Sequence, residues 1–216
     1  MDKVVTVAQM RDAEAAAIAI VGDDALMQRA ADGLAAVVLR ELPGDAAVLV
    51  LAGPGNNGGD GLFAGARLAA AGVAVTACRT AAQVHQRGWD ALMAAGGEQI
   101  SLGDLTARLG DFDLVIDAIF GIGGKPGLRP PLDGLADQLA ASHVPVVACD
   151  LPSGMSADAP FGVVEGLPFV RADVTVTFGA RKWCQVTQPA AAACGRVELV
   201  DIGLDGYWPA AAVETS

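Results

Sequence analysis

Histidine occurs only at positions 85 and 143, and cysteine only at 78, 149, 184 and 194. No two cysteines form a C-x-x-C pair, so the chain offers no donor set with the spacing of a zinc or other transition-metal centre. Cys78 and Cys149 fall inside apolar runs and read as small buried hydrophobes. Cations are also scarce: 14 Lys and Arg stand against 25 Asp and Glu, for a net charge of −11. A duplex-binding surface needs clustered Lys and Arg to displace counterions. Here they are scattered, which excludes nucleic acid, and the acidic excess serves solubility. No apolar run reaches the roughly 20 residues that cross a bilayer. The opening stretch MDKVVTVAQMRDAE meets Arg11, Asp12 and Glu14 before the core of a secretory signal could form. The expectation is a cytoplasmic protein with neither membrane nor nucleic acid as partner.

What is abundant is glycine and aliphatic residue: 27 of 216 residues are Gly and 53% are hydrophobic. A single domain spanning 1–216 would bury roughly 70% of its unfolded surface. Two helices are expected in the first forty residues. Thr6 is the N-cap of the first, with Gln9 three residues on, and Asp23 or Asp24 caps the second. Leu26, Met27, Ala30, Leu34, Val37 and Val38 recur at helical spacing, giving an apolar face that could cover a sheet or meet a second copy in a homodimer. Beyond Pro43-Gly44-Asp45, near-continuous apolar runs predict strands at 46–52, 73–78, 114–120, 144–149, 174–178 and 197–202. Helices are expected between them at about 61–71, 81–95 and 132–141. This alternation defines a Rossmann-like three-layer αβα sandwich with a mostly parallel central sheet, preceded by two N-terminal helices.

Ligands of such sheets bind beyond the carboxyl ends of the strands, and three of those ends are rich in glycine and polar residues. The first reads GPGNNGGDG. Gly53, Gly55 and Gly58 make the G-x-G-x-x-G of a dinucleotide loop, and Asn56, Asn57 and Asp60 accompany them. Asp60 is either a helix cap or a functional carboxylate. The acidic residue that an NAD site places at the end of the next strand is missing, since that strand ends Cys78-Arg79-Thr80. An NADP-linked dehydrogenase would rest on the G-x-G-x-x-G and Arg79 alone. The second end, DAIFGIGGKPGLR, has Asp117 at the strand terminus and then a glycine loop with Lys125 and Arg129, a phosphate clamp or a solvated surface loop. The third, DLPSG, puts Asp150 at a strand mouth, as a candidate acid or base or as one end of an Asx turn, with Ser153 in the turn. Ser153 lacks the G-x-S-x-G elbow of a nucleophile. Hard oxygen donors without Cys or His suit an alkali or alkaline-earth cation.

GPGNNGGDG, DAIFGIG, DLPSG and ADVTVTFGARK, in this order, resemble the NAD(P)H-hydrate epimerase family (YjeF N-terminal domain) from about Thr6 to Gly203, and TVAQMRDAE and ALMQRAA resemble its opening helices. The resemblance implies an isomerase that interconverts the R and S forms of NADHX and NADPHX, nicotinamide nucleotides hydrated at C6. It also implies a companion ADP- or ATP-dependent dehydratase that acts on the S form. It assigns substrate contacts to Asn56, Asn57, Gly58, Gly59 and Asp60, to Gly121, Ile122, Gly123, Gly124, Lys125, Pro126 and Gly127, and to Asp150. One potassium ion per subunit would be held by Asn57, Asp117 and Ser153. Asp150 and Asp60 are the expected catalytic carboxylates, in that order. The segment GIGGKPGLR is a few residues longer than the family's usual G-x-G-L-x-R. A non-catalytic nucleotide-binding scaffold of the same fold is the alternative, and retention of all three strand-end acids favours catalysis.

Overall fold

The computed structural model describes residues 3–158, 163, 165–209 and 213–214. Seven strands form one parallel sheet: β2 (Ala47–Ala52), β3 (Ala74–Arg79), β4 (Glu98–Ile100), β5 (Leu114–Ala118), β6 (Val146–Cys149), β7 (Val174–Phe178) and β9 (Arg196–Val200). Their spatial order is β4-β3-β2-β5-β6-β7-β9, so the direction of winding reverses between β2 and β5. A second, three-stranded sheet joins β1 (Lys3–Val5), β8 (Arg181–Lys182) and β10 (Val213–Glu214), with Val5 paired to Lys182.

Helices α1 (Val7–Val21), α2 (Asp23–Glu41), α3 (Asn56–Ala70), α4 (Gln86–Ala94), α5 (Leu105–Arg108), α6 (Leu135–Ser142) and α7 (Trp183–Val186) complete the order. Side chains on a strand alternate between faces, and β2 divides itself accordingly. Val48, Val50 and Ala52 join the core beneath α2, α3 and α4, while Leu49 and Leu51 join the one beneath α5 and α6. The sheet is thus apolar on both faces, which is why its strands read as continuous hydrophobic runs. The apolar face of α2 is spent on the sheet: Leu26, Met27, Ala30, Leu34, Val37 and Val38 are all buried in the first of those cores.

Thr6 caps α1 through a reciprocal pair with Gln9, as the sequence predicts. Two other helix starts differ from expectation. Gly22, not an aspartate, is the N-cap of α2, and Asp23 and Asp24 lie in its first turn, where they face the positive helix end. α3 begins at Asn56 with Gly55 as N-cap, so Asp60 sits inside the helix rather than capping it. Gly and Asn are poor helix formers, but close packing overrides propensity here. A Cβ at Gly58 would lie 2.2 Å from the Gly53 carbonyl oxygen, and one at Gly61 would lie 2.4 Å from Ala118 Cβ.

Candidate active site

The reversal of strand order places the loops after β2 and β5 on either side of a crevice, and β6 delivers Asp150 beside them. A cavity of about 480 Å³ opens there. Its walls include Asn56, Asn57 and Asp60 from the first turns of α3, Gly121 to Gly124 after β5, and Asp150 after β6. Gly58 and Gly59 are buried behind this wall, Gly59 against His85 and Met27. A neighbouring cavity of about 350 Å³ shares Phe120, Gly123 and Gly124 and is lined by Thr80, Lys125, Gly127 and Arg129. Pro126 lines neither, and nor does Arg79, whose guanidinium stacks 3.9 Å above the Trp89 ring.

Asp117 and Ser153 lie one layer below the main cavity, and both are fully buried. Ser153 donates its Oγ–H to Asp117 Oδ1 at 2.6 Å and its backbone N–H to Oδ2 at 2.8 Å. In turn, Ser153 Oγ accepts the Phe120 N–H at 3.0 Å. Burial lifts the Asp117 carboxyl to about 6, against the opposing pull of these hydrogen bonds. Asn57 Nδ2 is the one buried side-chain polar atom without a partner among the described residues. The far end of that amide abuts Gly121, where a Cβ would come within 2.9 Å of both Asn57 Oδ1 and Asp150 Oδ2. Nδ2 is a donor and cannot ligate a cation, but Asn57 Oδ1, the Asp117 carboxylate and the Ser153 hydroxyl are oxygens of the kind a hard cation takes. In donor type these residues suit the potassium ion that the sequence resemblance implies.

Asp150 occupies the left-handed region at φ 69°, a conformation that Asp tolerates better than most residues. Its Oδ1 accepts from Lys182 Nζ at 2.5 Å, and its Oδ2 accepts the Ile122 N–H at 3.1 Å. Asp60 is half-buried by area, yet the cleft walls its carboxyl into protein. Its pKa is raised well above the usual carboxylate range, first by burial and then by the charges of Asp150, Glu14 and Asp23. Glu14 and Asp23 also line the cavity, with Arg11 as the one basic side chain there among the described residues. The Glu14 pKa is raised by burial and then by Asp150, with Lys182 and Arg11 pulling against both.

Glu14, Arg11 and Gln185 are not among the site residues expected from the sequence, and Lys182, the last residue of the motif ADVTVTFGARK, has no role assigned to it there. Glu14 did carry a signal, because it falls within the buried stripe Met10, Ala13, Ala17 of α1. A charge inside an apolar helical stripe has to face something. Lys182 follows the buried strand β7 by only a few residues and looks like any surface lysine until the coordinates show it 1% exposed.

An open parallel sheet with a polar crevice at its topological switch point defines a ligand-binding α/β protein of the nucleotide-binding type. More narrowly, the chain belongs to the family described as YjeF-related protein N-terminus, whose model matches residues 23–184. It is 43% identical over 212 residues to the NAD(P)H-hydrate epimerase of Clavibacter michiganensis subsp. michiganensis, covering 92% of this chain and 89% of that one. It is also 43% identical over 207 residues to the bifunctional NAD(P)H-hydrate repair enzyme Nnr of Mycobacterium leprae, covering 93% of this chain but 41% of that larger enzyme. The crystal structure of the yeast protein ynu0 shares the fold, with a TM-score of 0.75 at 24% identity over 85% of this chain and 83% of that one.

Proposed function

We propose that this protein is an isomerase that interconverts the R and S epimers of NADHX and NADPHX for nicotinamide nucleotide repair. The observation that carries the reading is a pair of carboxylates lining one cavity in opposite electrostatic settings. Asp150 is paired with an ammonium, whereas the nearby charges acting on Asp60 are all acidic. Such a pair separates the roles of acid and base. Asp60, whose pKa is raised by burial and by the acidic groups around it, donates to the C6 hydroxyl, which leaves as water. The ring nitrogen lone pair forms the C6=N1 bond, and the resulting cation faces the Asp150 carboxylate, a charge placed where positive charge develops. Water then adds to the opposite face of C6 and passes its proton to Asp150, and exchange with solvent restores the proton of Asp60 and removes that of Asp150, so the reaction consumes nothing.

Asn57, Asp117 and Ser153 would hold the potassium ion, which when bound would offset the negative charge gathered beneath the cavity. The glycine loop from Gly121 to Gly127, with Lys125, is suited to the substrate's diphosphate. A companion dehydratase, fused or separate, would consume the S epimer. The expected location is the cytoplasm.

The test is direct. Purified S-epimer is incubated with the protein, and R-epimer is followed by chromatography. Wild type is expected to equilibrate the two, and Asp60→Asn or Asp150→Asn to slow this by roughly 10²-fold or more, the usual size of an acid–base contribution. Nucleotide binding without turnover would favour a scaffold instead, and wild-type rates in both variants would remove the assigned roles.

A further inference from the structure

A lysine ammonium is almost never fully buried unless it is paired, and replacing a buried ion pair by well-packed apolar residues is often neutral or stabilising. Lys182 is therefore a costly choice for fold stability alone. It is 1% exposed and spends its three N–H donors on Asp150 Oδ1 at 2.5 Å, Thr177 Oγ1 at 2.8 Å and the Phe178 carbonyl at 3.2 Å. It does not line the cavity; Asp150 does. Three residues further on, Gln185 donates from Nε2 to the Asp150 carbonyl at 2.7 Å, while its Oε1 accepts the Lys182 backbone N–H at 2.8 Å. One short segment thus grips Asp150 at both its side chain and its backbone, and holds the residue in the left-handed conformation. With Oδ1 tied down from behind, Oδ2 is fixed against the Ile122 N–H and Gly121 at the cavity wall.

Resting on the epimerase reading of this cavity, we propose that Lys182 is a positioning residue, which with Gln185 aims Asp150 Oδ2 at the reacting ring without touching substrate. Acting only through Asp150, it governs kcat and leaves substrate binding alone. Displacement of a catalytic group by about 1 Å costs on the order of 10² in rate.

Lys182→Met is expected to lower kcat for epimerisation roughly 10²-fold with KM within about twofold of wild type. Introduced into Asp150→Asn, the same change is expected to cost nothing more, because residues acting through one group are non-additive. That comparison also serves if Lys182→Met alone fails to fold, since the double variant leaves no unpaired buried charge. A kcat close to wild type in Lys182→Met, a KM that rises in step with the loss of kcat, or a further loss in the double variant would overturn the proposal. If wild type shows no epimerisation, the functional reading fails, and a crystal structure of Lys182→Met or of the double variant decides the geometric claim by itself. Loss of the contact between residue 150 and the Ile122 N–H upholds the clamp; an unmoved side chain refutes it.

Discussion

Replacing Gly61 by alanine adds a single methyl at the seam between α3 and the sheet. Its Cβ would lie 2.4 Å from Ala118 Cβ and 3.5 Å from Val50 Cγ1. Carbon atoms pack at about 3.5–4.0 Å, so α3 must retreat from β5 by roughly 1.1–1.6 Å. Neither methyl can swing aside, because each is fixed to its backbone. Overpacking of this kind costs about 3 kcal/mol at the upper end of its range. The gain in helix propensity on replacing Gly returns about 1 kcal/mol. The net loss of about 2 kcal/mol corresponds to a fall in Tm of roughly 4–8 °C for a chain of this length. Activity should suffer more, because α3 carries Asn56, Asn57 and Asp60 on its first turns while Asp150 stays with β6. A displacement of about 1 Å predicts a rate near 10⁻² of wild type. Calorimetry and the epimer assay read the two effects separately. Ala118→Gly, added to Gly61→Ala, removes the opposing methyl and is expected to recover most of the lost rate. Gly44→Ala, where a Cβ would meet nothing within 4 Å, serves as the neutral control. A Gly61→Ala protein as stable and active as wild type, or a second substitution that recovers nothing, would refute the view that this close approach sets the geometry of the cleft.

Two further predictions concern the layer beneath the cavity. Because burial raises Asp117 from 3.8 to about 6 in the folded state, its contribution to stability is fully present below about pH 3.8 and is lost as pH rises through about 6. In potassium-free buffer, the stability of wild type minus that of Asp117→Asn, from urea melts, should therefore fall by up to about 3 kcal/mol between pH 4 and pH 7; a flat difference would contradict this. Potassium added to a tetramethylammonium buffer at neutral pH should raise the Tm of wild type. A hundredfold excess over Kd is worth about 2.7 kcal/mol, or roughly 5–11 °C. Ser153→Ala should blunt the response, and no rise in wild type would remove the ion from the proposal.

The parallel core was legible because strands buried on both faces need unbroken apolar runs, and β2, β3, β5, β6, β7 and β9 each begin or end within two residues of the predicted segments. β4 escaped notice because it is a three-residue edge strand with Glu98 and Gln99 exposed. β1 and β8 are too short for any period to register. The start of α3 was misplaced because NNGGDG has the composition of a loop, and only tertiary contact makes it helical. In the site, carboxylates at strand ends announced themselves, since a buried unpaired acid is expensive. Their partners did not. Lys125 sits in the glycine loop and Lys182 closes a separate motif, but nothing in the sequence gives the burial of either, and one is enclosed behind Asp150 while the other is exposed beside the second cavity.

The pairing of Val5 with Lys182 bears on where the working unit begins and ends. The stretch matched by the family model, 23–184, holds every carboxylate expected from the motifs. Outside it, however, lie Arg11, Glu14 and Ile18 on one side and Ile202 on the other, all of them facing the cavity. The strand that flanks Lys182 lies outside it as well. A fragment trimmed to the matched stretch would keep its signature residues and lose part of the enclosure around them. Gln185, which secures the carbonyl of Asp150, is the first residue past the cut.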